Sequence, residues 1–180
     1  MLYRQKNALD RKFEIWKGIA EMSYEKAKAH LERYGLADRI QLFDVSSATV
    51  ELAAAALGVE GARIAKTLSF LVEEKPVLIV AAGDAKVDNR KFKDKFHVKA
   101  KMLSHEQAAE LVGHAVGGVC PFGVNPGVKT YMDESLRRFE IVYPAAGTSN
   151  SAVRLTPEEL YRASEAVEWV DVCKLPEAEG

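Results

Sequence analysis

Hydrophobic and polar residues follow two periods along this chain, one typical of helices and one typical of strands. Near the N-terminus, residues 10–22 carry apolar side chains at a loosely helical spacing. Ser23 is a candidate N-cap, and it predicts a second helix over residues 24–34 that Gly35 closes. Because the pattern is more regular beyond this point, residues 1–22 are predicted to be an appended helical extension.

Extended segments dominate the middle of the chain. Two apolar, β-branched runs at residues 65–72 and 77–82 are joined by Glu73-Glu74-Lys75-Pro76, and this arrangement predicts a β-hairpin. Five further stretches are predicted to be strands: residues 41–45, 128–132, 139–143, 153–155 and 166–172.

The remaining predicted helices carry start or stop signals. They cover residues 50–57 before Gly58, residues 88–96, residues 105–112 after the capping box Ser104-His105-Glu106-Gln107, and the segment opened by Thr156-Pro157-Glu158-Glu159. Strands grouped in hairpins with helices outside them predict an α+β fold with a mixed sheet, since a regular βαβ alternation is missing.

Length and composition predict one domain. The 180 residues are 48% hydrophobic, which suffices for a single core. The longest strongly apolar run, residues 77–82, is far too short to cross a bilayer, and the N-terminus has no secretory signal. The two cysteines, Cys120 and Cys173, have neither metal-ligand spacing nor a disulfide pattern. We therefore expect a cytoplasmic protein without a metal or cofactor.

Charge is unevenly distributed, although the formal net charge is only -1. Between Lys86 and Lys101 there are seven Lys or Arg residues and two Asp, whereas from Thr156 onward there are seven acidic residues and two basic ones. The basic stretch is either an ordinary solvated helix face or, with Phe92 and Phe96 turned inward, a surface for a nucleic-acid backbone.

The most constrained segment is Gly117-Gly118-Val119-Cys120-Pro121-Phe122-Gly123. It matches neither the P-loop nor the dinucleotide fingerprint. It is therefore either a turn between strands or a loop whose main-chain N–H groups hold a small ligand. Lys66, which interrupts the apolar run 65–72 between Arg63 and Thr67, is its predicted partner. The ammonium of Lys66 either reaches water along the surface or points into a pocket to bind an oxygen atom.

No side chain is identified as a nucleophile. Cys120 has no assignable partner and is interpreted as a pocket-lining residue. His114 is either a proton carrier or, as the more common case, a solvent-exposed residue. His97 and His105 show no ligand spacing. The segment Gly147-Thr148-Ser149-Asn150-Ser151 is either a turn or a second wall of the pocket.

The order and spacing of four motifs resemble the YbaK/EbsC family. These motifs are Ala65-Lys66-Thr67-Leu68, the glycine loop, Asp133-Glu134-Ser135-Leu136 and Leu155-Thr156-Pro157-Glu158-Glu159-Leu160. The likeness covers residues 23–172 and is specific, because a lysine and a G-x-x-x-P loop are the signature of that family. Its members are free-standing relatives of the editing domain inserted in bacterial prolyl-tRNA synthetases.

The resemblance implies a mixed, curved, barrel-like sheet surrounded by helices, with a pocket for the aminoacylated 3′ end of tRNA. It implies hydrolysis of the ester that joins a wrong amino acid to tRNA, typically Cys or Ala on tRNA for proline, without a metal. The editing domain is predicted to span residues 23–173, followed by a tail at 174–180. Mischarged tRNA is the expected partner, and prolyl-tRNA synthetase is a second candidate.

The resemblance also assigns roles to residues. Lys66 matches the essential lysine of the family, and Gly117 and Pro121 match the fixed positions of the loop. The predicted catalytic residues are Lys66, Gly117, Gly118 and Pro121; the predicted substrate-binding residues are Thr67, Cys120, Phe122, Gly123, Gly147 and Thr148; and the predicted tRNA-binding residues are Arg63, Arg90, Lys91 and Lys93.

One segment departs from the family pattern. Some members carry basic residues and an aspartate where this chain has Thr148-Ser149-Asn150-Ser151-Ala152, so the amino-acid preference does not carry over. The alternative function is a non-catalytic module of the same fold that binds tRNA or a small ligand.

Overall fold

The computed structural model describes residues 2–115 and 117–177. Its helices are α1 Leu2–Glu32, α2 Val50–Leu57, α3 Asn89–Phe96, α4 His105–Leu111 and α5 Pro157–Ala163. Its strands are β1 Ile40–Leu42, β2 Ile64–Val72, β3 Lys75–Ala82, β4 Lys86–Val87, β5 Lys129–Asp133, β6 Tyr143–Pro144, β7 Ser151–Val153, β8 Trp169–Val170 and β9 Cys173–Lys174. Short 3₁₀ helices span Ala37–Arg39, Gly61–Arg63 and Glu134–Arg138.

A five-stranded mixed sheet in the order β6-β2-β3-β5-β8 forms the centre of the fold. β2 and β3 are antiparallel, and the other three pairings are parallel. The antiparallel pairs β1–β7 and β4–β9 form two smaller sheets. Within the described residues, β6 and β8 do not pair with each other, so the central sheet is open at both ends. The predicted α+β fold with a mixed sheet is confirmed.

The predicted hairpin of β2 and β3 has a tighter turn than the sequence indicates. Only Glu73 and Glu74 lie between the strands, and both adopt positive φ, 48° and 64°. Two-residue hairpin turns need such values, because their twist then matches that of the strands. Pro76 is inside β3 opposite Leu71, whose N–H points away from β3 and donates to Lys101 O at 2.9 Å. The missing N–H of Pro76 therefore breaks no bond between β2 and β3.

Helices α4 and α5 begin at the predicted caps, whereas the caps of α2 and α3 were not predicted. Each cap side chain accepts a hydrogen bond from a main-chain N–H of the first turn: Thr49 for α2, Asp88 for α3, Ser104 for α4 and Thr156 for α5. Gly58 ends α2 at φ 67°, a value that glycine adopts without strain. No helix of the described residues is long and apolar enough to span a membrane.

The prediction of two N-terminal helices with Ser23 as a cap is wrong. Helix α1 is continuous from Leu2 to Glu32, and Ser23 lies inside it, fully buried. Its hydroxyl oxygen accepts a hydrogen bond from the Ala115 N–H at 3.0 Å. A serine followed by a helical pattern looks the same in sequence whether its hydroxyl caps its own helix or binds a distant segment. Only the position of residue 115 distinguishes the two cases.

The predicted domain boundary between residues 22 and 23 falls within α1. The two halves of the helix nevertheless differ in solvent exposure: Leu9 and Phe13 are each 68% exposed, whereas Ala27 and Leu31 are fully buried. The division into extension and domain stays a prediction. At the other end, Lys174 of the predicted tail belongs to β9, and residues 178–180 lie outside the described residues.

Two predicted strands are largely absent. In the segment 139–143 only Tyr143 joins a strand, and in 166–172 only Trp169 and Val170 do. The adjacent Glu134–Arg138 segment forms a 3₁₀ helix. A strand forms only where a neighbouring strand pairs with it, and β6 pairs with β2 only at Ile64 and Ala65, the first two residues of β2. Apolar composition predicted burial here, but it did not predict pairing.

Helix α3 turns its aromatic residues inward. Phe92 is fully buried, and its ring lies 4.9 Å from that of Phe70 and 4.7 Å from that of Phe96, which in turn contacts Tyr131 at 5.1 Å. Such tilted and edge-on pairs stabilise a core beyond their buried area. The cations of the same helix consequently face outward, which fits both interpretations of this stretch, a solvated helix face and a surface for a nucleic-acid backbone.

Replacing Ser23 by Ala is expected to destabilise the fold by about 1–3 kcal/mol, because the buried Ala115 N–H would lose its acceptor. Gly18→Ala in the same helix is the matched control. A methyl group there meets no atom within 4 Å and should stabilise the helix by about 0.5–1 kcal/mol. Urea unfolding of both variants measures the difference. Equal unfolding free energies for S23A and the wild type would contradict the role assigned to this hydroxyl.

Candidate functional site

A cavity of about 310 Å³ lies between β2, the start of α2, the segment around Leu103 and the glycine loop. This volume is at the lower end of the range typical of ligand pockets, about 300–1,000 Å³. Most of its lining residues are apolar, among them Val50, Ile64 and Leu68. A small apolar space with a few polar groups suits a small ligand or the end of a larger one.

One wall of the cavity is a gap in the pairing of β2. At Ala65 the strand pairs with β6, and at Ser69 its carbonyl oxygen accepts a hydrogen bond from Leu103 N–H at 3.0 Å. Main-chain groups of alternate residues point to the same side of a strand, so Thr67 faces the same way as Ala65 and Ser69. Within residues 2–115 and 117–177, no main-chain group pairs with Thr67 on that side.

Lys66 lies in the same strand and lines the cavity. Its ammonium donates hydrogen bonds to two main-chain carbonyl oxygens, Gly83 O at 3.2 Å and Ala85 O. Burial lowers the pKa of Lys66 from its ordinary value, and the charge of Asp84 works in the opposite direction. An ammonium has three donors. Two of them are used by the 83–85 turn, and the third forms no hydrogen bond within the described residues.

The 83–85 turn is held in place by its neighbours. Asp84 receives two hydrogen bonds from the Arg138 guanidinium, at 2.6 and 3.1 Å, and these lower the pKa of the Asp84 carboxyl. Ser135 Oγ accepts the Ala82 N–H at 3.1 Å just before the turn. Gly83 itself packs so closely on the Gly61 carbonyl that it has no room for a side chain. The position of the Lys66 ammonium is therefore fixed by several contacts.

The glycine loop forms another part of the cavity wall. Gly117 and Val119 line it, and Gly117 adopts φ 78°. Gly118 is packed against the main chain of the 147–149 turn, where a methyl group would lie 2.5 Å from the Gly147 carbonyl oxygen. Position 118 therefore requires glycine, because the glycine loop and the 147–149 turn are in direct main-chain contact there.

Cys120 and His114 meet in the core beneath the loop. Both are fully buried, with Cys120 Sγ 3.6 Å from His114 Nε2. The same nitrogen lies 2.7 Å from Phe122 O, so it carries the proton and donates to that carbonyl. Burial raises the pKa of the Cys120 thiol to about 12 and lowers that of His114 to about 4. The expectation that His114 is exposed is wrong, because its ring anchors the loop from within.

Residues 44–163 match the family model described as the aminoacyl-tRNA editing domain. This chain belongs to that family. The match covers two thirds of the chain, and the resemblance to the YbaK/EbsC proteins is confirmed.

Relatives of this editing domain include free-standing and inserted forms. The uncharacterised protein YwhH of Bacillus subtilis is 48% identical over 154 residues, which are 85% of this chain and 98% of YwhH. A proline–tRNA ligase of Bacillus cereus is 27% identical over 145 residues, 78% of this chain but only 24% of the ligase. A solved structure proposed to be a trans-editing enzyme for prolyl-tRNA synthetase shares 30% identity and a TM-score of 0.76, covering 87% of this chain and 98% of the other.

The structure brings some of the predicted site residues of the editing domain together and separates others. Lys66, Thr67 and Gly117 line the cavity, and Gly118 lies behind it. The other predicted residues of the loop and turn do not line it: Cys120, Pro121, Phe122, Gly123, Gly147 and Thr148. Two of them pack against helix α1 instead, Gly123 on the main chain of Lys26 and Gly147 on that of Ser23.

Several polar residues at the cavity were not predicted from sequence as site residues. They are Ser47, Thr49, Ser69, His105 and Tyr143. His105 was identified only as part of a capping box, and the others had no signal. Ser151 also lines the cavity, as the interpretation of the 147–151 segment as a pocket wall expects. Residues far apart in the chain meet here because β2, β6 and β7 converge with the starts of α2 and α4.

The predicted tRNA-binding cations occupy different environments. Arg63 donates to Ile141 O at 3.2 Å and lies over the Tyr143 ring at 5.5 Å, near the cavity. Lys91 pairs with Asp171 at 2.8 Å, which raises the pKa of Lys91. Arg90 and Lys93 are exposed and form no ion pair within the part of the chain that the structure describes. They stay predicted tRNA contacts.

Gly118→Ala is expected to destabilise the editing domain by about 1–3 kcal/mol, since the new methyl group would overlap the Gly147 carbonyl. Gly61→Ala is the control, because a methyl group at that position meets only a Val50 side-chain carbon at 3.4 Å. Urea unfolding should show a loss for G118A and a change within about 0.5 kcal/mol for G61A. Equal effects in the two variants would refute the close-contact explanation.

The free energy of unfolding of the editing domain is expected to decrease as the pH is lowered from about 6.5 to 4. His114 has a pKa of about 4 when folded, against 6.5 as its ordinary value, so the unfolded chain binds a proton first. This stabilising contribution is complete above pH 6.5, and about 3 kcal/mol of it is lost by pH 4. The prediction is tested by measuring unfolding free energies across this range for the wild type and for His114→Gln, which keeps a donor for Phe122 O.

The Gln variant should show a weaker pH dependence between pH 6.5 and 5, where carboxyl groups contribute less. If it does not fold, the ring of His114 can be titrated by NMR in the wild-type protein. A midpoint near 6.5 for that ring would contradict the assignment.

Proposed function

We propose that this protein is a deacylase that hydrolyses mischarged aminoacyl-tRNA, with cysteinyl- and alanyl-tRNA for proline as the first candidate substrates. One observation carries the proposal. In a chain of the aminoacyl-tRNA editing family, Lys66 and Gly117 come from distant parts of the sequence and line the same small cavity.

The cavity suits the aminoacyl end of such a substrate. Its walls are mostly apolar, and its volume of about 310 Å³ favours a small side chain over a large one. Thr49, whose oxygen accepts the Leu52 N–H, keeps its hydroxyl proton as a donor for the ribose or the terminal phosphate. Ser47 and Ser151 donate to Ser149 O and Thr148 O, so their oxygens are candidate acceptors for a ribose hydroxyl. The rest of the tRNA lies outside, where Arg90 and Lys93 are candidate contacts for its phosphate backbone.

Lys66 supplies a fixed positive charge. Because two of its donors are held by Gly83 and Ala85, the side chain needs little further ordering to offer the third to a substrate. It binds the terminal phosphate or the carbonyl oxygen of the ester. A donor that is already positioned stabilises developing charge without paying for reorganisation during the reaction.

The reaction needs no protein nucleophile. A water molecule attacks the ester carbonyl carbon, and the carbonyl oxygen becomes an oxyanion held by main-chain N–H groups at the cavity. The bond to the ribose oxygen then breaks, and that oxygen takes the proton lost by the water, which gives free amino acid and tRNA. A ribose hydroxyl or the side chain of the substrate assists the proton transfer. Cys120 is unsuited to attack, because its thiol is buried and its pKa is raised to about 12.

Selectivity by cavity size alone is limited, since one methylene group is worth about 1–3 kcal/mol. Overlapping activity on small amino acids is therefore expected. The tRNA, or a synthetase bound to it, provides the remaining selectivity. The similarity to a segment of proline–tRNA ligase, and to a structure described in terms of prolyl-tRNA synthetase, supports prolyl-tRNA synthetase as that partner.

Lys66→Ala should lower the deacylation rate of alanyl- or cysteinyl-tRNA for proline by tens to a thousandfold. The reason is the loss of one charged contact, worth about 2–4 kcal/mol of barrier. The measurement is release of radiolabelled amino acid from purified mischarged tRNA, with cognate prolyl-tRNA as the substrate that should resist hydrolysis.

Lys75→Ala is the matched control, since it removes one exposed lysine from the same hairpin and should leave the rate unchanged. A K66A variant that is folded and as active as the wild type would eliminate the proposed mechanism. Binding of mischarged tRNA without hydrolysis, across a panel of amino acids, would favour a non-catalytic module instead.

A further inference from the structure

The main chain of Thr67 is an unused hydrogen-bonding site at the cavity. Two residues before it on the same edge of β2, Ala65 pairs with β6. Two residues after it, Ser69 O accepts the Leu103 N–H. The cavity is lined by Leu103 and by Ala145, which flank the gap at its two ends. Within the described residues, the N–H and C=O of Thr67 have no main-chain partner, so β2 offers one donor and one acceptor to the cavity.

The geometry of such a pair restricts what can bind it. In an antiparallel sheet, two opposed residues exchange both hydrogen bonds, the N–H of each donating to the C=O of the other. A ligand that fills the gap must therefore carry a donor and an acceptor separated as the nitrogen and carbonyl oxygen of one amino-acid residue are. An aminoacyl ester carries this pattern, with an α-ammonium group and a carbonyl one carbon apart.

We propose that Thr67 binds the aminoacyl group of the substrate as a single-residue strand. The α-ammonium donates to Thr67 O, and the ester carbonyl oxygen accepts the Thr67 N–H. This inference rests on the proposed deacylase function and deepens it, because it assigns a recognition site for the free amino group.

The arrangement has a consequence for the reaction. As water adds to the ester carbon, the carbonyl oxygen gains negative charge while it remains bonded to the Thr67 N–H. That N–H therefore strengthens its bond in the transition state, which makes Thr67 a catalytic residue through its main chain. The side chain of Thr67 is not required for either hydrogen bond. Removing the hydroxyl alone therefore separates the role of the side chain from that of the main-chain N–H.

Thr67→Pro removes the N–H at this position. The group points away from β3, so the substitution breaks no bond within the hairpin, and proline is tolerated where the N–H faces an unpaired edge. Thr67→Ala keeps the N–H and removes the hydroxyl. T67A is therefore the matched reference for T67P, since the two variants both lack the hydroxyl and differ in the N–H. We expect kcat/KM for alanyl-tRNA to be about 10- to 100-fold lower in T67P than in T67A.

A second measurement uses the wild-type protein and does not depend on a variant. Propionyl-tRNA has the carbonyl of alanyl-tRNA but no α-donor. After each rate is divided by uncatalysed hydrolysis of the same ester, propionyl-tRNA should be cleaved about 10- to 100-fold more slowly, as expected for loss of a charged hydrogen bond.

The outcomes separate this inference from the proposed function. Inactive wild-type protein on the whole panel of mischarged tRNAs would overturn both. Active wild-type protein, with a folded T67P variant as fast as T67A, would overturn the role of Thr67 N–H and leave the deacylase function in place. Equal normalised rates for propionyl- and alanyl-tRNA would overturn the recognition of the amino group by Thr67 O.

Discussion

The arrangement of this site depends on strand β2 changing its neighbour along its length. The strand pairs with β6 at its start and with the segment around Leu103 further on, and Thr67 lies between the two. A fully paired strand would leave no room for a cavity, and an unpaired one would leave no walls. Because β2 also pairs with β3 from Ala65 to Val72, the gap is bounded by rigid backbone. Lys66 is one residue away, held by the turn that follows β3.

Close contacts between main chains hold the surrounding segments in register with this strand. Gly83 packs on Gly61, Gly118 on Gly147, and Gly147 on the backbone of Ser23 in α1. Each contact lacks space for a Cβ atom, so these positions tolerate only glycine without movement of a neighbour. Through them the glycine loop, the 147–149 turn and α1 form one stack behind the cavity. The long N-terminal helix thereby supports the site, although the family match begins after it.

The titratable groups that look most reactive in the sequence are structural in the fold. Cys120 and His114 lie side by side in the core, and burial stabilises the neutral form of each. The cavity is lined instead by Lys66, by His105, by several hydroxyl groups and, within the part of the chain that the structure describes, by the unpaired main chain of Thr67. This composition is consistent with an activated ester as substrate, because positioning and oxyanion stabilisation suffice for its hydrolysis.

The local elements and the family can be identified from residue patterns alone. Caps at Ser104 and Thr156, the β-branched hairpin and the lysine with its glycine loop all depend on neighbours within a few residues, so pattern alone identifies them. Tertiary structure decided which groups meet. It buried Ser23 and His114, shortened the strand predicted at 139–143, and separated Cys120 from the cavity that Thr67 and Gly117 share. Pairing and burial depend on segments far away in the chain, and periodicity contains no information about their distance.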